Sequence, residues 1–270
     1  MKNLFMAAGL AALMSSAFAA PTQPVPKALD LPVKQGMKIV NSFDAVNNLR
    51  GWVLQRDGQP VVVYTSKDGK YLFAGALIDE AGQNLTATYT KKYTPAQDYT
   101  KLYAQLEKSA YFAEGAKGTA VKSVVYAFLD PNCIFCHLAW KAFQPYEKAG
   151  LQVRWVPVGF LKPDSAGKAA ALLEAKDADE AMAKNESQFD EATESGGIAA
   201  IPVSAETSKK LEANGKLMAD FGLSGTPAMV YKDKSGKTVV KPGMPRMSEL
   251  PGITGLPEQP QTDPALARFK

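Results

Sequence analysis

The stretch VVYAFLDPNCIFC, residues 124–136, contains Cys133 and Cys136, the only two cysteines of the chain. Its first six residues are apolar and mostly β-branched or aromatic, which predicts a buried strand. The Asp-Pro-Asn that follows predicts a turn, and apolar side chains recur at helical spacing after Cys136. Both cysteines should therefore lie where a strand passes into the first turn of a helix. At that position, free backbone N–H groups and the positive end of the helix dipole favour a thiolate.

Residue chemistry leaves three interpretations of the pair open: a redox-active dithiol, a structural bridge and a zinc site. A bridge that closes so short a loop stabilises a protein by about 2 kcal/mol, against about 5 kcal/mol for a loop of about 100 residues. A zinc site needs about four ligands. The chain has two cysteines and one histidine, so carboxylates would have to complete such a site. The strand–turn–helix setting favours the redox-active dithiol.

Residues 1–19 have the organisation of a cleavable secretory signal peptide. Lys2 provides a positive start, an apolar segment extends from Phe5 to Met14, and Ala-Phe-Ala at 17–19 fits the small-x-small cleavage rule. The apolar segment is shorter than the ~20 residues that span a bilayer. We therefore expect an exported bacterial protein of the periplasm that is not embedded in the membrane. In that oxidising compartment a CxxC pair can cycle between dithiol and disulfide.

Composition and charge narrow the possible partners. The chain has 31 Lys and Arg residues against 27 Asp and Glu residues, and the two signs are interspersed without a basic run. This pattern gives no support to a nucleic-acid partner. The sequence also lacks a glycine-rich phosphate loop and a helix with His/Glu ligand spacing. We therefore expect neither a cofactor nor a bound metal.

The first part of the chain reads as a small antiparallel sheet. Turn residues separate five short patterns of alternating or apolar residues, which predict strands at 37–43, 51–55, 61–65, 71–78 and 85–89. Few helical residues are left to cover the second face of this sheet, and so small a sheet is marginally stable alone. Residues 20–94 are therefore predicted to form a domain that pairs with a second copy of the chain. The alternative is that the sheet packs on its own chain.

From residue 95 onward, the spacing of apolar residues changes. Residues 95–118 place apolar side chains three and four apart, which predicts a connecting helix. Residues 119–250 follow a strand–helix–strand order, typical of a parallel βαβ unit, and continue with a helical region and a hairpin. From Pro242 the chain carries six prolines within 23 residues. Residues 251–270 are therefore expected to be irregular and exposed.

Five segments in this order resemble the bacterial periplasmic disulfide isomerase/reductase family of DsbC and DsbG, and they are more similar to DsbG. Several segments in register are more specific than the CxxC motif alone. The segments are VKQGMKIVNSFDA at 33–45, DEAGQNL at 79–85, DPNCIFC at 130–136, VGFLKPDS at 158–165 and GTPA at 225–228.

The resemblance implies an α+β N-terminal dimerisation domain, a linker helix and an α/β thioredoxin-like fold with a helical insertion, assembled as a homodimer. It implies that Cys133 is the exposed nucleophile and Cys136 the buried resolving cysteine. Thr226 and Pro227 would form the cis-proline loop that faces the dithiol. The implied partners are misoxidised or unfolded exported proteins as substrates, and a DsbD-like membrane reductase as electron donor.

The chain departs from the family pattern at the Ile134-Phe135 dipeptide and at His137. Ile134-Phe135 stands where the family usually has Pro-Tyr or Gly-Tyr, so the reduction potential cannot be carried over. His137 follows Cys136 where a lysine is usual. Because His137 is four residues from Cys133, its imidazolium could stabilise the thiolate. The alternative is a solvated surface histidine.

These observations predict an enzyme, a thiol–disulfide oxidoreductase. It would isomerise or reduce disulfides in exported proteins, and reduce sulfenylated cysteines, because each reaction begins with a reduced nucleophilic thiolate. Two other functions remain as alternatives. One is a disulfide donor like DsbA, and the other is a periplasmic holdase chaperone with secondary redox activity.

Overall fold

The computed structural model describes residues 24–56, 59–95 and 97–270, so the predicted signal peptide lies outside the described residues. The chain divides into two compact units, residues up to 97 and residues 98–270. In the described part, no helix has the length and apolar character needed to cross a bilayer. The helices are α1 (Asp30–Lys34), α2 (Leu85–Tyr93), α3 (Thr100–Leu106), α4 (Ile134–Ala149), α5 (Ser165–Leu173), α6 (Ala178–Ser187), α7 (Ala205–Asp220) and α8 (Leu250–Thr254). The strands are β1 (Lys38–Asp44), β2 (Arg50–Arg56), β3 (Gln59–Thr65), β4 (Leu72–Ala74), β5 (Phe112–Gly115), β6 (Ser123–Leu129), β7 (Leu151–Pro157), β8 (Ala228–Lys232) and β9 (Thr238–Pro242).

The first unit is an antiparallel sheet in the order β1-β2-β3-β4. Side chains alternate across it, as the period of two requires. In β2, Trp52 and Leu54 pack on one face against Leu29, while Val53 packs on the other face beside Phe43. Four of the five predicted strands are therefore present, with the last of them, β4, shorter than predicted.

The fifth predicted strand, residues 85–89, is wrong: this segment begins the helix α2. Asn84 caps the helix, because its side chain accepts a hydrogen bond from the backbone N–H of Ala87 at 2.9 Å. Tyr89 and Tyr93 then place their rings 5.0 Å and 4.1 Å from the ring of Phe43. The second face of the sheet is thus covered, in part, by a helix of its own unit.

The second unit contains a five-stranded sheet in the order β5-β7-β6-β8-β9. Strands β6 and β7 are parallel and α4 connects them, so the predicted βαβ unit is present. The central strand β6 is buried on both faces, which explains its unbroken apolar sequence. Ala127 and Leu129 pack towards α4, whereas Tyr126 and Phe128 pack with residues of α3 and α7.

The connecting helix predicted over residues 95–118 is much shorter in the structure. Only Thr100–Leu106 is α-helical, and the chain then turns into strand β5, whose Phe112 pairs with Trp155 of β7. The side chain of Leu106 is fully buried in the core of the second unit. The helix ends at Leu106, and residues 107–110 form turns that lead into β5.

The expectation that residues 251–270 are irregular and exposed is wrong for the two ends of the segment, whereas residues 257–263 have no regular secondary structure. Residues Leu250–Thr254 form α8, and Pro264–Phe269 form a 3₁₀ turn. Ile253 and Leu266 are buried in the core that contains the two cysteines. The prolines limit the length of these elements but do not prevent burial, since Pro264 occupies the first position of its turn.

Candidate active site

The two cysteines lie at the junction between β6 and α4. Cys133 is the N-cap residue of α4, and its carbonyl accepts hydrogen bonds from the backbone N–H groups of Cys136 and His137 at 2.9 Å and 3.0 Å. Both cysteines are free thiols. Cys133 is 5% exposed, whereas Cys136 is completely buried. Cys133 is therefore nearly buried, not exposed as the resemblance implied, and Cys136 has no exposed surface.

The surroundings separate the acidities of the two thiols. The pKa of Cys133 is lowered from 9.0 to about 7, chiefly because Cys136 donates a hydrogen bond to its sulfur. Burial opposes this lowering, and the backbone N–H groups of Phe135 and Cys136 add to it. Burial raises the pKa of Cys136 well above 9.0, and the neighbouring Cys133 raises it further. Cys133 is therefore the group that ionises near neutral pH, while Cys136 keeps its proton.

The loop that contains Thr226 and Pro227 lies against the dithiol, although it is 93 residues away in sequence. The Thr226–Pro227 peptide bond is cis. The Cys133 thiol donates a hydrogen bond to the Thr226 carbonyl oxygen at 3.2 Å. The hydroxyl oxygen of Thr226 is buried without a hydrogen-bond partner among the described residues. The structure thus brings together four of the predicted site residues.

The turn before Cys133 is held by a buried polar network. One carboxylate oxygen of Asp130 accepts from the backbone N–H of Asn132 and from the hydroxyl of Ser165. Its other oxygen accepts from two backbone N–H groups, those of Phe160 and Leu161, at 2.9 Å and 3.0 Å. Asp130 therefore ties the active-site turn to the loop that follows β7.

Lys168 completes this network. Its ammonium group, on a side chain 6% exposed, has four oxygen partners. The partners are Asn132 Oδ1, Ser195 Oγ and the Gly196 carbonyl, each at 2.8 Å, and Asp164 Oδ2 at 3.1 Å. A charge this deeply buried needs such partners, and all of them lie on the active-site turn or on the helical insertion.

His137 is not a solvated surface residue, so that alternative is wrong. The residue is 4% exposed, and its Nδ1 atom lies 2.9 Å from Oε2 of the buried Glu186. Its ring stacks on Phe189 with centroids 4.6 Å apart. Glu186 also accepts a hydrogen bond from Asn185, whose amide donates to the Pro131 carbonyl as well. His137 thus connects the first turn of α4 to α6, and its effect on the Cys133 thiolate stays a prediction.

Sequence reasoning missed Lys168, Asn185 and Glu186. All three belong to the polar, Ala/Glu/Lys-rich region, where charged residues normally face solvent. Nothing in their spacing distinguishes them from exposed neighbours such as Lys184. Only the folding of α5 and α6 over the active-site turn buries them.

Two carboxyl groups interact farther from the cysteines, that of the buried Glu114 on β5 and that of the half-buried Glu147 on α4. The indole N–H groups of Trp140 and Trp155 donate to the two carboxylate oxygens of Glu114 at 2.9 Å and 2.7 Å. Burial nevertheless raises the pKa of Glu114 to about 7. Burial and the negative charge of Glu114 raise the pKa of Glu147 to about 9. The domain therefore contains one acid, Glu114, that changes charge near neutral pH.

Comparison with known proteins identifies the family. A family model described as a thioredoxin-like domain matches residues 113–251, and one described as a disulfide bond isomerase protein N-terminal domain matches residues 17–87. The thiol:disulfide interchange protein DsbG of Pseudomonas aeruginosa is 32% identical over 90% of this chain and 93% of its own length. DsbG of Escherichia coli is 34% identical over 91% of this chain and 96% of its own length. The chain belongs to the DsbG family.

Other relatives are more distant. DsbC of Haemophilus influenzae is 28% identical over 63% of this chain and 66% of its own length, so the chain is closer to DsbG than to DsbC. A solved structure described as Helicobacter pylori DsbG covers 76% of this chain and 98% of its own, with 20% identity and a TM-score of 0.40. The two family models identify the first unit as a disulfide-isomerase N-terminal domain and the second as a thioredoxin-like domain. The predicted enzyme class, a thiol–disulfide oxidoreductase, is confirmed.

In a zinc site, other ligands would have to stand beside the two cysteines. Within residues 24–56, 59–95 and 97–270, no group of three or more His, Cys, Asp and Glu side chains is arranged to hold a metal ion. The Cys133 thiol instead donates a hydrogen bond to the backbone carbonyl of Thr226. The chemistry that this DsbG-family site supports is thiol–disulfide exchange.

Proposed function

We propose that this DsbG-family protein works in the reducing direction in the periplasm, where it reduces or rearranges disulfides of exported proteins. The observation that carries this proposal is the difference between the pKa values of the two thiols. With a pKa of about 7, Cys133 is about half thiolate at neutral pH, against about 1% for a thiol with a pKa of 9.0. Stabilisation of the Cys133 thiolate beside a protonated Cys136 lowers the free energy of the reduced form. The equilibrium between the dithiol and the disulfide therefore shifts towards the dithiol.

In the first step, the Cys133 thiolate attacks one sulfur of a client disulfide. The client S–S bond breaks, a new bond joins Cys133 to the client, and the other client sulfur leaves as a thiolate. In reduction, Cys136 then loses its proton and attacks the Cys133 sulfur. This releases the client dithiol and leaves a Cys133–Cys136 disulfide. In isomerisation, a client thiolate attacks the mixed disulfide instead, which forms a different client disulfide and frees Cys133.

The same thiolate can reduce a sulfenylated client cysteine. Attack on the sulfenic sulfur forms the mixed disulfide and releases hydroxide, which takes up a proton to become water. Cys136 then resolves the mixed disulfide as before. Each reductive turnover leaves the two cysteines oxidised, so the cycle requires an external two-electron reductant. A DsbD-like membrane reductase would supply those electrons by a further dithiol–disulfide exchange.

We also propose that the protein is a homodimer formed through its N-terminal unit. Strand β4 is at the edge of the sheet, and its residues Leu72 and Phe73 are 37% and 49% exposed. The preceding Tyr71 is 64% exposed. An open strand edge with apolar side chains is a site at which a second chain can pair. Phe73→Asp should therefore produce a monomer in light scattering, whereas Lys70→Asp, beside the edge, should leave the dimer intact.

The direction of the reaction can be tested in living cells. Cells are quenched with acid, and free thiols are alkylated with a reagent that changes the mass of the protein. A mostly reduced Cys133–Cys136 pair supports the proposal, whereas a mostly oxidised pair supports a disulfide donor like DsbA.

A second experiment tests whether clients react at Cys133. In Cys136→Ser the resolving thiol is missing, so mixed disulfides with clients should accumulate on Cys133. The double variant Cys133→Ser, Cys136→Ser is the matched control and should trap nothing. If that double variant still prevents client aggregation while Cys136→Ser traps no clients, the protein acts as a holdase chaperone and the redox proposal fails.

A further inference from the structure

Residues 259–270 run along the active-site helix α4, in the opposite direction to it. As the segment advances, its partners move back along α4 towards the cysteines. The contacts, in chain order, are the hydrogen bond from the Gln259 backbone N–H to the Tyr146 hydroxyl at 3.4 Å, the bond from Gln261 Nε2 to the Ala142 carbonyl at 2.9 Å, and the ion pair of Asp263 with Lys141 Nζ at 3.5 Å.

The end of segment 259–270 is held in place by burial and capping. Leu266 is fully buried in the core of the second unit, and Phe269 packs against the same core. The carboxylate of Asp263 accepts a hydrogen bond from the backbone N–H of Ala265 at 2.8 Å, which caps the 3₁₀ turn. These contacts give the ring of Phe269 a defined position.

That position is beside the CxxC motif. The ring of Phe269 meets the ring of Phe135 edge to face, with centroids 6.5 Å apart and an interplanar angle of 85°. Phe135 lies between the two cysteines and is still 44% exposed. Cys133, two residues before Phe135, is only 5% exposed, so little of its surface is open to a client sulfur.

We propose that Phe269 is a specificity-determining residue for the exchange reaction. Together with Phe135 it forms an aromatic surface beside Cys133, and this surface contacts an apolar or aromatic side chain adjacent to the reacting cysteine of a client. Aromatic contacts add stabilisation beyond the area that they bury. A client with such a neighbour therefore reaches the mixed disulfide faster than one with a polar neighbour. The inference rests on thiol–disulfide exchange at Cys133 and adds selectivity to it.

The test compares two disulfide-bonded peptides that differ only in the residue after the reacting cysteine, Phe or Ser. The second-order rate constant for reduction of each by the reduced protein is measured, and glutathione disulfide serves as a small reference substrate. We expect the Phe peptide to be preferred, and Phe269→Ala to reduce that preference by about fivefold. The rates with the Ser peptide and with glutathione disulfide should not change.

Two further variants distinguish the ring from the segment that carries it. Phe269→Tyr keeps an aromatic ring and should keep the preference, and Ala267→Ser, at an exposed position of the same turn, should also keep it. The proposal is overturned if Phe269→Ala leaves the preference unchanged, or if it slows all three substrates equally. Failure of the wild-type protein to reduce glutathione disulfide would instead contradict the exchange reaction itself.

Discussion

Removal of the hydrogen-bond donor at position 136 should raise the pKa of Cys133. The lowering from 9.0 to about 7 corresponds to about 2.7 kcal/mol in favour of the thiolate. A hydrogen bond to a charged acceptor contributes about 1.5–3 kcal/mol, so the Cys136 donor can account for most of the effect. We therefore expect Cys136→Ala to raise the pKa of Cys133 by about one to two units.

The matched variant is Cys136→Ser, which keeps a donor at the same position and should keep most of the lowering. The pKa is read from the ultraviolet absorbance of the thiolate, or from the rate of alkylation, as a function of pH. At neutral pH, alkylation of Cys136→Ala should be about tenfold slower than that of Cys136→Ser, because about tenfold less thiolate is present. Equal pKa values in the two variants would refute the assignment of the Cys136 thiol as the main cause.

Three other perturbations test the surroundings of the site. The pKa of Glu114 is about 7 in the folded protein, against 4.5 for an ordinary glutamate, so protonated Glu114 contributes fully to stability below pH 4.5. That contribution is lost as the pH rises to about 7. Glu114→Gln should therefore remove about 3 kcal/mol from the pH dependence of the free energy of unfolding, measured with denaturant. Lys168→Met leaves buried oxygens unpaired and should destabilise the domain by about 3 kcal/mol, whereas Lys184→Met, on the exposed face of α6, should have little effect in the same measurement. Gly51→Ala places a Cβ atom 2.2 Å from the ring of Phe43 and should destabilise the N-terminal unit by about 1–3 kcal/mol, with the second unit's melting unchanged.

Elements with a strong local pattern were predicted well. The apolar run before the cysteines is a central strand, and the helical spacing after them is α4. By contrast, the strand predicted at residues 85–89 is a helix, because Asn84 caps it and the rings of Tyr89 and Tyr93 pack on one side of it. In so short a segment, apolar residues four apart fit the period of a helix and that of a strand alike. Short segments leave the choice between strand and helix to the packing around them.

Sequence by itself determined the chemistry of this protein: two cysteines at the start of a helix that follows a buried strand, in a chain that resembles the DsbC and DsbG family. Tertiary structure decided the surroundings of that chemistry. It buries Lys168 and Glu186 next to the active-site turn, and it carries Phe269 along α4 to Phe135. The spacing of apolar residues within a segment indicates whether it is a helix or a strand, because this choice depends on residues that are neighbours in sequence. Which charged helix face becomes buried, and where a proline-rich segment docks, depend on residues far apart in sequence, so only the folded chain brings them together.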